Sequence, residues 1–519
     1  MAKATFQDLN PAGLLLCAVV ALLLYQIFRA LRRRRRSTPL RGPPSQSFLW
    51  GIRKYMSFSS DTIDMFEQWV IAYGPVFHLP SVLGSREVVL ADPKALSHYY
   101  SKETTIYQKT TYLRLALEKI VRYRPCPCRR QRRTVSPAFS NSALRNLTHI
   151  FFDSGYKVRC PTINYILTRI LIRLDSIGIA GFSHDFGTLY GNHLTIAEII
   201  DAFSIVRPSF FAMICFLLEP IFPVLRRVPT ARGKLVQSLN ESMADISHEM
   251  MERARKASDG NAKPEDNSVI GLLMRAGDAA SSAGYSQEEV ISQMKALLLG
   301  GYESTSTTLT WSLIELSRHP DKQARLREEL LTSFPTSDPT WDQLTNNMPY
   351  LDAVVHEILR LHPPLDETWR VAVEDDVIPL STPITTASGN VVDRIVVAKG
   401  TQVTIPIACM NRSDAIWGSD AKEFAPERWL DEACIPKKAK EVQGHRHLLT
   451  FIDGPRKCIG RGFALAEIKA VLSVLVRSYT FQLRDGPGTR IESKTSILPR
   501  PTITGEVGCK MPLRVRRVG

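Results

Sequence analysis

The sequence predicts a mainly α-helical protein with a smaller β-rich part, preceded by one N-terminal transmembrane helix. Three observations predict this fold class. An apolar run lies near the N-terminus, the middle of the chain repeats apolar residues at helical spacing, and residues 376–406 change to short runs of Val, Ile and Thr. The chain is 44% hydrophobic and 23% charged, a balance that excludes collagen-like, disordered and disulfide-dense proteins.

The apolar run comprises residues 11–28, and only Gln26 interrupts it. A helix of this length spans about 27 Å, close to the hydrocarbon thickness of an endoplasmic reticulum bilayer. Arg29 and the run from Arg32 to Arg36 follow at once, and such charges favour the cytosolic side. We therefore expect residues 1–30 to form a lumenal tail and a transmembrane anchor. A cleaved signal peptide is the alternative, although the residues before the run are not strongly basic.

The net charge of +15 is concentrated at the same end of the chain. Residues 1–48 hold eight basic residues and one acid, which leaves +8 for the remaining chain. This distribution favours a membrane surface over nucleic acid as the partner. Residues 31–48 are a basic and Pro-rich linker, and prolines stiffen such a segment. The charge on residues 49–519 fits an acidic protein partner or an ordinary solvated surface equally well.

Three helices are predicted with defined ends. The capping-box pattern at Ser286 to Glu289 begins a helix of roughly 30 residues that Pro320 ends. Pro349 begins a second helix, which stops at Leu361 before His362-Pro363-Pro364. A last helix is expected from about Ile459 to Arg477. Between the second and the last helix, short strands are expected at residues 378–380, 391–392, 395–397 and 403–405.

The most specific motif is Phe451-Ile-Asp-Gly454-Pro-Arg456-Lys-Cys458-Ile-Gly460. It resembles the haem-ligand loop F-x-x-G-x-R-x-C-x-G of the cytochrome P450 family. The resemblance implies that Cys458 is the axial ligand of the iron in haem b. Arg456, Lys457 and the amides that begin the next helix are features that lower a thiol pKa, and the thiolate is the form that binds iron. For Cys458 alone, a buried structural cysteine is the alternative.

Neighbouring positions of this motif have expected roles at the haem. Gly454 and Gly460 would let the backbone approach a flat ring closely, and Phe451 would pack against the same side. By resemblance, Arg456, Arg370 and Arg132 are the cations that bind the haem propionates. Residues 122–128, where Cys128 replaces an aromatic residue, and residues 159–173 depart from the family pattern. A misplaced exon boundary is one hypothesis for these stretches, and sequencing of the transcript tests it.

Two further segments resemble structural motifs of the family. Glu357-Ile-Leu-Arg360 matches E-x-x-R, whose acid and arginine share one helix face. Phe424-Ala-Pro-Glu-Arg428-Trp429 resembles the P-E-R-F segment, with Trp in place of the last Phe. The resemblance implies that Glu357, Arg360 and Arg428 form a hydrogen-bonded lock behind the haem. Taken alone, the E-x-x-R pair also fits an ordinary surface ion pair.

The long helix contains Gly300-Gly301-Tyr302-Glu303-Ser304-Thr305, which resembles the oxygen-activating segment G-G-x-[DE]-T-[TS]. The resemblance implies that Glu303, Ser304 and Thr305 relay protons toward oxygen. Ser304 stands where threonine is usual, so the hydroxyl is kept and a methyl group is lost. A solvated run of serine and threonine is the alternative.

The resemblance covers residues 40–519 and implies one catalytic domain at residues 49–519, of fungal type. It implies a monooxygenase that inserts one atom of O₂ into a lipophilic small molecule, with a terpenoid or other secondary metabolite as the expected substrate class. The implied electron source is NADPH through NADPH-cytochrome reductase, with cytochrome b5 as an optional donor. The expected location is the endoplasmic reticulum membrane, single-pass, with no nucleic acid partner.

Three alternatives stay open at the level of sequence. One is a reductase-independent isomerase or peroxygenase on the same fold, and another is a haem-binding but catalytically impaired family member. The third is a membrane-tethered interaction protein without haem. Substrate, regiochemistry and product depend on pocket walls that include residues 365–368 and 496–498, and the sequence does not determine them.

Overall fold

The chain is mostly helical, with β-strands concentrated in smaller sheets. The computed structural model describes residues 11–56, 62–121, 128–157, 166–167, 194–206, 209–219, 222–258, 271–273, 275, 285–335, 337–509 and 511–518. The α-helices are, in chain order, α1 Pro11–Arg36, α2 Arg53–Met56, α3 Thr62–Tyr73, α4 Pro93–Ser101, α5 Thr111–Val121, α6 Cys128–Val135, α7 Asn141–Lys157, α8 Leu194–Ile205, α9 Phe210–Leu218, α10 Ala231–Ser258, α11 Gln287–Arg318, α12 Pro320–Ser333, α13 Trp341–Asn346, α14 Pro349–Leu361, α15 Ile407–Arg412, α16 Asp414–Trp417, α17 Lys437–Lys440 and α18 Arg461–Ser478. The mainly helical fold predicted from the sequence is therefore confirmed.

The strands form four sheets within the described residues. They are β1 Val76–Pro80, β2 Arg86–Leu90, β3 Tyr107–Gln108, β4 Ile166–Leu167, β5 Thr368–Ala372, β6 Asp376–Thr385, β7 Val391–Val397, β8 Gln402–Ile405, β9 Tyr479–Leu483, β10 Ile491–Thr495, β11 Pro499–Ile503 and β12 Pro512–Arg517. The largest sheet has the order β1-β2-β8-β5-β3, and only its β2–β8 pair is parallel. The others are β4-β12-β9 and the antiparallel pairs β6–β7 and β10–β11. The strands predicted between residues 376 and 406 are confirmed.

The predicted helix ends follow from local chemistry. At the start of α11, the Ser286 hydroxyl accepts the Glu289 N–H, and the Glu289 carboxylate accepts the Ser286 N–H, so the capping box is formed. Pro320 lies at the first position of α12, where the missing N–H has no cost. The predicted helix from Pro349 to Leu361 is α14.

The N-terminal segment contacts the body through its polar end. After α1, the Thr38 hydroxyl accepts the Val396 N–H at 2.8 Å, and the Thr38 N–H donates to the Val396 carbonyl at 3.0 Å. The Ser37 hydroxyl accepts the Ala398 N–H. The linker therefore lies beside β7. Among the described residues no single helix meets the length and hydropathy required of a membrane span, while the bent pair Glu198–Ile205 and Phe210–Phe216 meets them jointly.

The main hydrophobic core lies between α7, α10, α11, α14 and α18. Leu351, Val354, Val355 and Ile358 of α14 are fully buried in it, which matches the apolar face expected from their helical spacing. A second core lies under the β1–β2–β8–β5 sheet and includes Leu90, Val403 and Ile405. The helical core and this sheet position the two segments that carry the chemistry, the start of α18 and the middle of α11.

Candidate active site

The segment before α18 folds back on itself at Cys458. The Cys458 N–H donates to the Phe451 carbonyl at 2.9 Å, which closes the loop. Gly454 has φ +73°, and a Cβ atom there would lie 2.8 Å from the Tyr100 carbonyl oxygen. Only glycine adopts this conformation and approach without strain. The loop therefore holds Cys458 just before the first turn of α18, as the motif predicts.

Cys458 is an exposed residue, although its thiol group lies close enough to the surrounding protein to be desolvated. Desolvation raises its pKa, while the Gly460 N–H, Arg132 and Arg461 act in the opposite direction. The sequence predicted a lowered pKa, and in the structure burial outweighs the amide and the cations. Arg461 was not predicted, although its place in the first turn of α18 is a usable signal. An iron ion bound to sulfur would supply the missing positive charge.

The middle of α11 presents two hydroxyl groups and an opening. Ser304 and Thr305 donate hydrogen bonds to the carbonyls of Gly300 and Gly301, at 2.8 and 2.9 Å. A Cβ atom on Gly300 would meet no atom within 4 Å, so this face of the helix borders open space. Because each hydroxyl donates along the helix, its oxygen lone pairs remain able to accept a further hydrogen bond.

Glu303 turns away from these hydroxyls and is buried against the C-terminal strands. Its Oε1 atom accepts the Leu498 N–H at 3.1 Å and the Arg500 Nε–H at 3.2 Å. Its Oε2 atom has no hydrogen-bond partner among the described residues. Desolvation raises the pKa of Glu303, and the Arg500 charge opposes this shift.

Arg500 itself is shared between two acids. Its Nη1 atom donates to Asp201 of α8 at 2.8 Å, in addition to the contact with Glu303. Arg500 and Asp201 were not predicted from the sequence, because both lie far from Glu303 along the chain. The carboxylate of Glu303 therefore has different partners from the hydroxyls of Ser304 and Thr305, although the three residues are consecutive.

Two of the three arginines predicted to bind the propionates form hydrogen bonds with the protein, but each also has an N–H group without a partner. Arg370 on β5 donates to Glu103 at 3.2 Å and to the Trp369 carbonyl, and Arg456 donates to the Tyr107 carbonyl at 3.3 Å. The Nε atoms of both guanidinium groups are buried without a hydrogen-bond partner in the described structure. Buried donors of this kind normally have a partner, so the pair fits a cofactor that carries carboxylates.

Arg132, the third predicted cation, is half-buried on α6. It donates to the Lys457 carbonyl at 2.7 Å and so contacts the Cys458 loop directly. Gly460 immediately precedes α18, and a Cβ atom there would approach only the Phe139 ring, at 3.9 Å. The backbone around Gly460 is thus not crowded by protein, which leaves room for a flat ring. The residues present therefore fit haem.

The E-x-x-R pair is a fully buried bidentate ion pair. Glu357 accepts from the Nε and Nη2 atoms of Arg360 at 2.9 and 2.8 Å, and both side chains are 0% exposed. Arg360 also donates to the carbonyls of Asn411, Ala421 and Glu423. The pair therefore fastens α14 to the segment from α15 to Pro426. Its complete burial excludes the alternative of an ordinary surface ion pair.

Arg428 takes a different position from the expected one. Its Nε atom lies 3.7 Å from Glu357 Oε1, an ion-pair distance without a hydrogen bond, and its Nη2 atom donates to Asp420 at 2.8 Å. The indole Nε1–H of Trp429 instead donates to Glu357 Oε2 at 2.8 Å. The tryptophan that replaces the usual phenylalanine thus adds a donor to the lock, because phenylalanine has none.

The departures from the family pattern fall largely outside the described residues. Residues 122–127 and all of 159–173 except 166–167 are not described, and Cys128 contributes only its backbone, at the start of α6. The expected departures from the family pattern in these two stretches therefore stay predictions.

Comparison with known proteins indicates the same family as these motifs. A family model described as Cytochrome P450 matches residues 41–505. The chain is 50% identical to "Cytochrome P450 monooxygenase claQ" from Ampulloclitocybe clavipes, with 99% of both chains covered. It is also 50% identical to "Cytochrome P450 monooxygenase claO" of the same fungus, again over 99% of both chains. "Cytochrome P450 monooxygenase 205" from Postia placenta is 34% identical, over 92% of this chain and 93% of its own.

Proposed function

The chain belongs to the cytochrome P450 family and is a monooxygenase of that family; from this premise we propose that it oxidises a lipophilic small molecule at a membrane, with electrons from NADPH delivered by NADPH-cytochrome reductase. The observation that carries the proposal is the exposed residue Cys458, held by a closed loop before α18. The open wall at Gly300 supports it.

Haem would be held by named groups of this chain. The Cys458 sulfur would bind the iron, and Arg370, Arg456 and Arg132 would bind the two propionates. When bound, haem supplies the activation of dioxygen, of which one atom enters the substrate and the other leaves as water. The protein contributes the loop that fixes the sulfur, the buried guanidinium groups and the lock behind the loop.

The proposed proton pathway ends on α11. The Ser304 hydroxyl donates to the Gly300 carbonyl beside the open space, so it could accept a proton from water and pass its own onward by rotation. Thr305 could act in the same way one residue later. Glu303, whose pKa is raised by burial, would act as the reserve from which the proton is drawn, since its Oε2 atom is free to bind water.

Several exposed apolar side chains support a membrane location for the substrate entrance. Phe210 and Phe211 of α9 are 59% and 62% exposed, and Phe48 and Tyr55 are also exposed. The Phe210 ring packs edge-on against Trp50, with ring centroids 6.2 Å apart, so the two apolar segments are neighbours. Exposed apolar patches of this kind mark membrane or partner contacts.

The anchor completes this part of the proposal. The apolar residues 11–28 belong to α1, whose last turn is wholly basic. We infer that this helix crosses the endoplasmic reticulum membrane once and keeps the catalytic domain in the cytosol. Lipophilic substrates, for which terpenoids and other secondary metabolites are the proposed class, would then be taken up from the lipid.

The cationic surface around the Cys458 loop supports an acidic electron donor. Lys457 and Arg446 are exposed, Arg446 beside its partner Asp352, and the half-buried Arg132 donates to the Lys457 carbonyl. Such a surface attracts an acidic protein and accelerates its association. We assign this face to the reductase, with cytochrome b5 as the optional second donor.

The experiment that tests the proposal is a difference spectrum of the reduced, carbon-monoxide-bound protein. The wild type should show the red-shifted Soret band of thiolate ligation, and Cys458→Ser should lose it. Cys434→Ser is the matched control, because Cys434 is a free, exposed cysteine remote from the motif in sequence. A wild-type protein that binds no haem would contradict the proposal.

Turnover measurements separate the two enzymatic alternatives. With the reductase present, substrate-dependent oxidation of NADPH is expected, and omission of the reductase should abolish it. Product formation that continues without NADPH would favour an isomerase or a peroxygenase. Stoichiometric haem without any substrate-dependent NADPH use would indicate an impaired enzyme.

A further inference from the structure

A separate cleft lies where the N-terminal helix meets the body of the protein, and it plays no part in the site described above. Its volume is about 640 Å³. Its walls come from the basic end of α1, the linker after it, the end of α3, β1 and β2, and the turn of the β6–β7 hairpin. The lining residues used below are Arg34, Arg35, Arg41, Gly42, His78 and Arg86.

The charge of this cleft is entirely of one sign. Arg34, Arg35, Arg41 and Arg86 line it, and no carboxylate does so among the described residues. None of the four arginines forms an ion pair within the described part of the chain, whereas Arg36, next in the basic run, pairs with Asp375. The cleft therefore gathers positive charge that the fold leaves uncompensated.

The positive charge of the cleft affects the pKa values of His78 and Arg86. Burial is the main cause that lowers the pKa of His78 to about 4, and Arg86 and Arg34 lower it further. Burial also lowers the pKa of Arg86, and Arg34 adds to that shift. Both residues are thus held where additional positive charge is unfavourable. A bound anion would relieve this repulsion.

The wall that carries Arg41 is fixed by the backbone. The His78 N–H donates to the Arg41 carbonyl at 2.9 Å, and the His78 Nδ1 atom lies 2.8 Å from the Leu40 carbonyl oxygen. A Cβ atom on Gly42 would lie 2.1 Å from the His78 carbonyl oxygen, so only glycine allows this contact. The linker is therefore held against β1, which positions Arg41 opposite α1 before any ligand binds.

We propose that this cleft binds a phosphorylated polyol, presented at the membrane as the headgroup of an anionic phospholipid. Guanidinium groups bind phosphate oxygens through paired hydrogen bonds, and basic pockets beside an anchor recognise lipid headgroups. A volume of about 640 Å³ lies within the roughly 300–1,000 Å³ typical of small-ligand sites and exceeds the need of one phosphate ion. The lipid source rests on the proposed membrane anchoring, whereas recognition of phosphate does not.

The test uses the full chain with two probes. Soluble inositol 1,4-bisphosphate is titrated into the detergent-solubilised protein. Displacement of the bound probe is then measured with detergent micelles that contain phosphatidylinositol 4-phosphate, or phosphatidylserine at equal total charge. The cleft variant is Arg41→Gln with Arg86→Gln. The matched control is Arg29→Gln with Arg32→Gln, which removes the same charge from α1 outside the cleft lining.

Saturable binding of the soluble probe is expected, weakened at least about tenfold in the cleft variant and less than about twofold in the control. Phosphatidylinositol 4-phosphate should displace the probe more effectively than phosphatidylserine, and the cleft variant should lose this preference. Equal losses of probe binding in both variants would indicate diffuse attraction and overturn the proposal. Binding of the soluble probe without a lipid preference would assign the cleft to soluble phosphate esters and overturn the lipid source.

If α1 does not anchor the protein in a membrane, the experiment gives a different result. In that case the wild type would not float with pure phosphatidylcholine vesicles, while titration with the soluble probe would still report on the cleft. The carbon-monoxide spectrum of each variant shows independently that the catalytic domain is folded and loaded with haem.

Discussion

Arg500 donates a hydrogen bond from Nε to Glu303 Oε1 over 3.2 Å, and the two side chains are 2% and 1% exposed. The contact joins β11 to the middle of α11. Arg500 also binds Asp201 of α8 at 2.8 Å, so one guanidinium group links three elements around the proposed proton pathway. The acid of that pathway is therefore held by a cation that belongs to a distant part of the chain.

Arg500→Met is expected to destabilise the protein by about 3–5 kcal/mol, because it leaves the Glu303 carboxylate buried without its counterion. Glu303→Gln in the same chain should recover at least about 1 kcal/mol, since the amide carries no charge. Denaturant unfolding of the solubilised protein in a double-mutant cycle measures both quantities. Arg484→Met, whose ion pairs lie at the surface, is the control and should change stability little. Additive effects of the two buried substitutions would contradict the coupling.

Trp429→Phe tests the donor that tryptophan adds to the lock. The substitution removes the hydrogen bond to the Glu357 carboxylate and should cost about 1.5–3 kcal/mol, as for hydrogen bonds to charged groups. Trp417→Phe is the matched control, because its indole donates to the neutral Met410 carbonyl at 3.2 Å. That loss should be about 0.5–1.5 kcal/mol. Equal costs in chemical unfolding would indicate that packing, rather than the charged acceptor, explains both effects.

The parts of this structure that local chemistry decides were predictable from the sequence. Ser286 and Glu289 cap α11 from within one turn, and Glu357 and Arg360 meet because they are three residues apart on one helix. Pro349 and the prolines after Leu361 bound α14 in the same local way. Such features need no knowledge of the tertiary fold.

The unpredicted partners of Glu303 and Glu357 come from distant segments. Arg500 reaches Glu303 across 197 residues, and Trp429 reaches Glu357 across 72. The sequence also displays the amides and cations that lower the Cys458 pKa, but not the desolvation that outweighs them. Burial and long-range pairing are properties of the folded chain, so no local pattern contains them.

Asp366→Asn should make stability less dependent on pH. Burial, with a smaller contribution from Glu367, raises the pKa of Asp366 to about 7, well above its ordinary value. Between pH 4 and about 7 the unfolded chain releases this proton while the folded protein keeps it, so wild-type stability falls as the pH rises. Asparagine does not titrate, so the variant does not lose stability in this way. The variant should therefore be more stable than wild type at pH 8, by about 1–3 kcal/mol, and lose that advantage by pH 4.

Denaturant unfolding at a series of pH values measures this difference. Asp393→Asn is the control, because Arg394 lowers the pKa of Asp393 and removal of that carboxylate should bring no gain at pH 8. A constant stability difference between wild type and Asp366→Asn over the whole range would show that the carboxyl does not titrate in this window.

Ser304→Ala should uncouple electron use from product formation in the reductase-supported reaction. The substitution removes the hydroxyl that borders the open face of α11, so protons reach oxygen more slowly and reduced oxygen escapes as peroxide. The fraction of NADPH electrons recovered in hydrogen peroxide is expected to rise several-fold, with haem content unchanged.

Ser304→Thr, which restores the usual methyl group, should leave that fraction at or below the wild-type value. Thr310→Ala is the matched control, because it deletes a hydroxyl bonded in the same way to the carbonyl of Ser306, farther along the helix. An equal rise in peroxide for Ser304→Ala and Thr310→Ala would attribute the effect to the loss of helix hydroxyls in general and would remove Ser304 from the proton pathway.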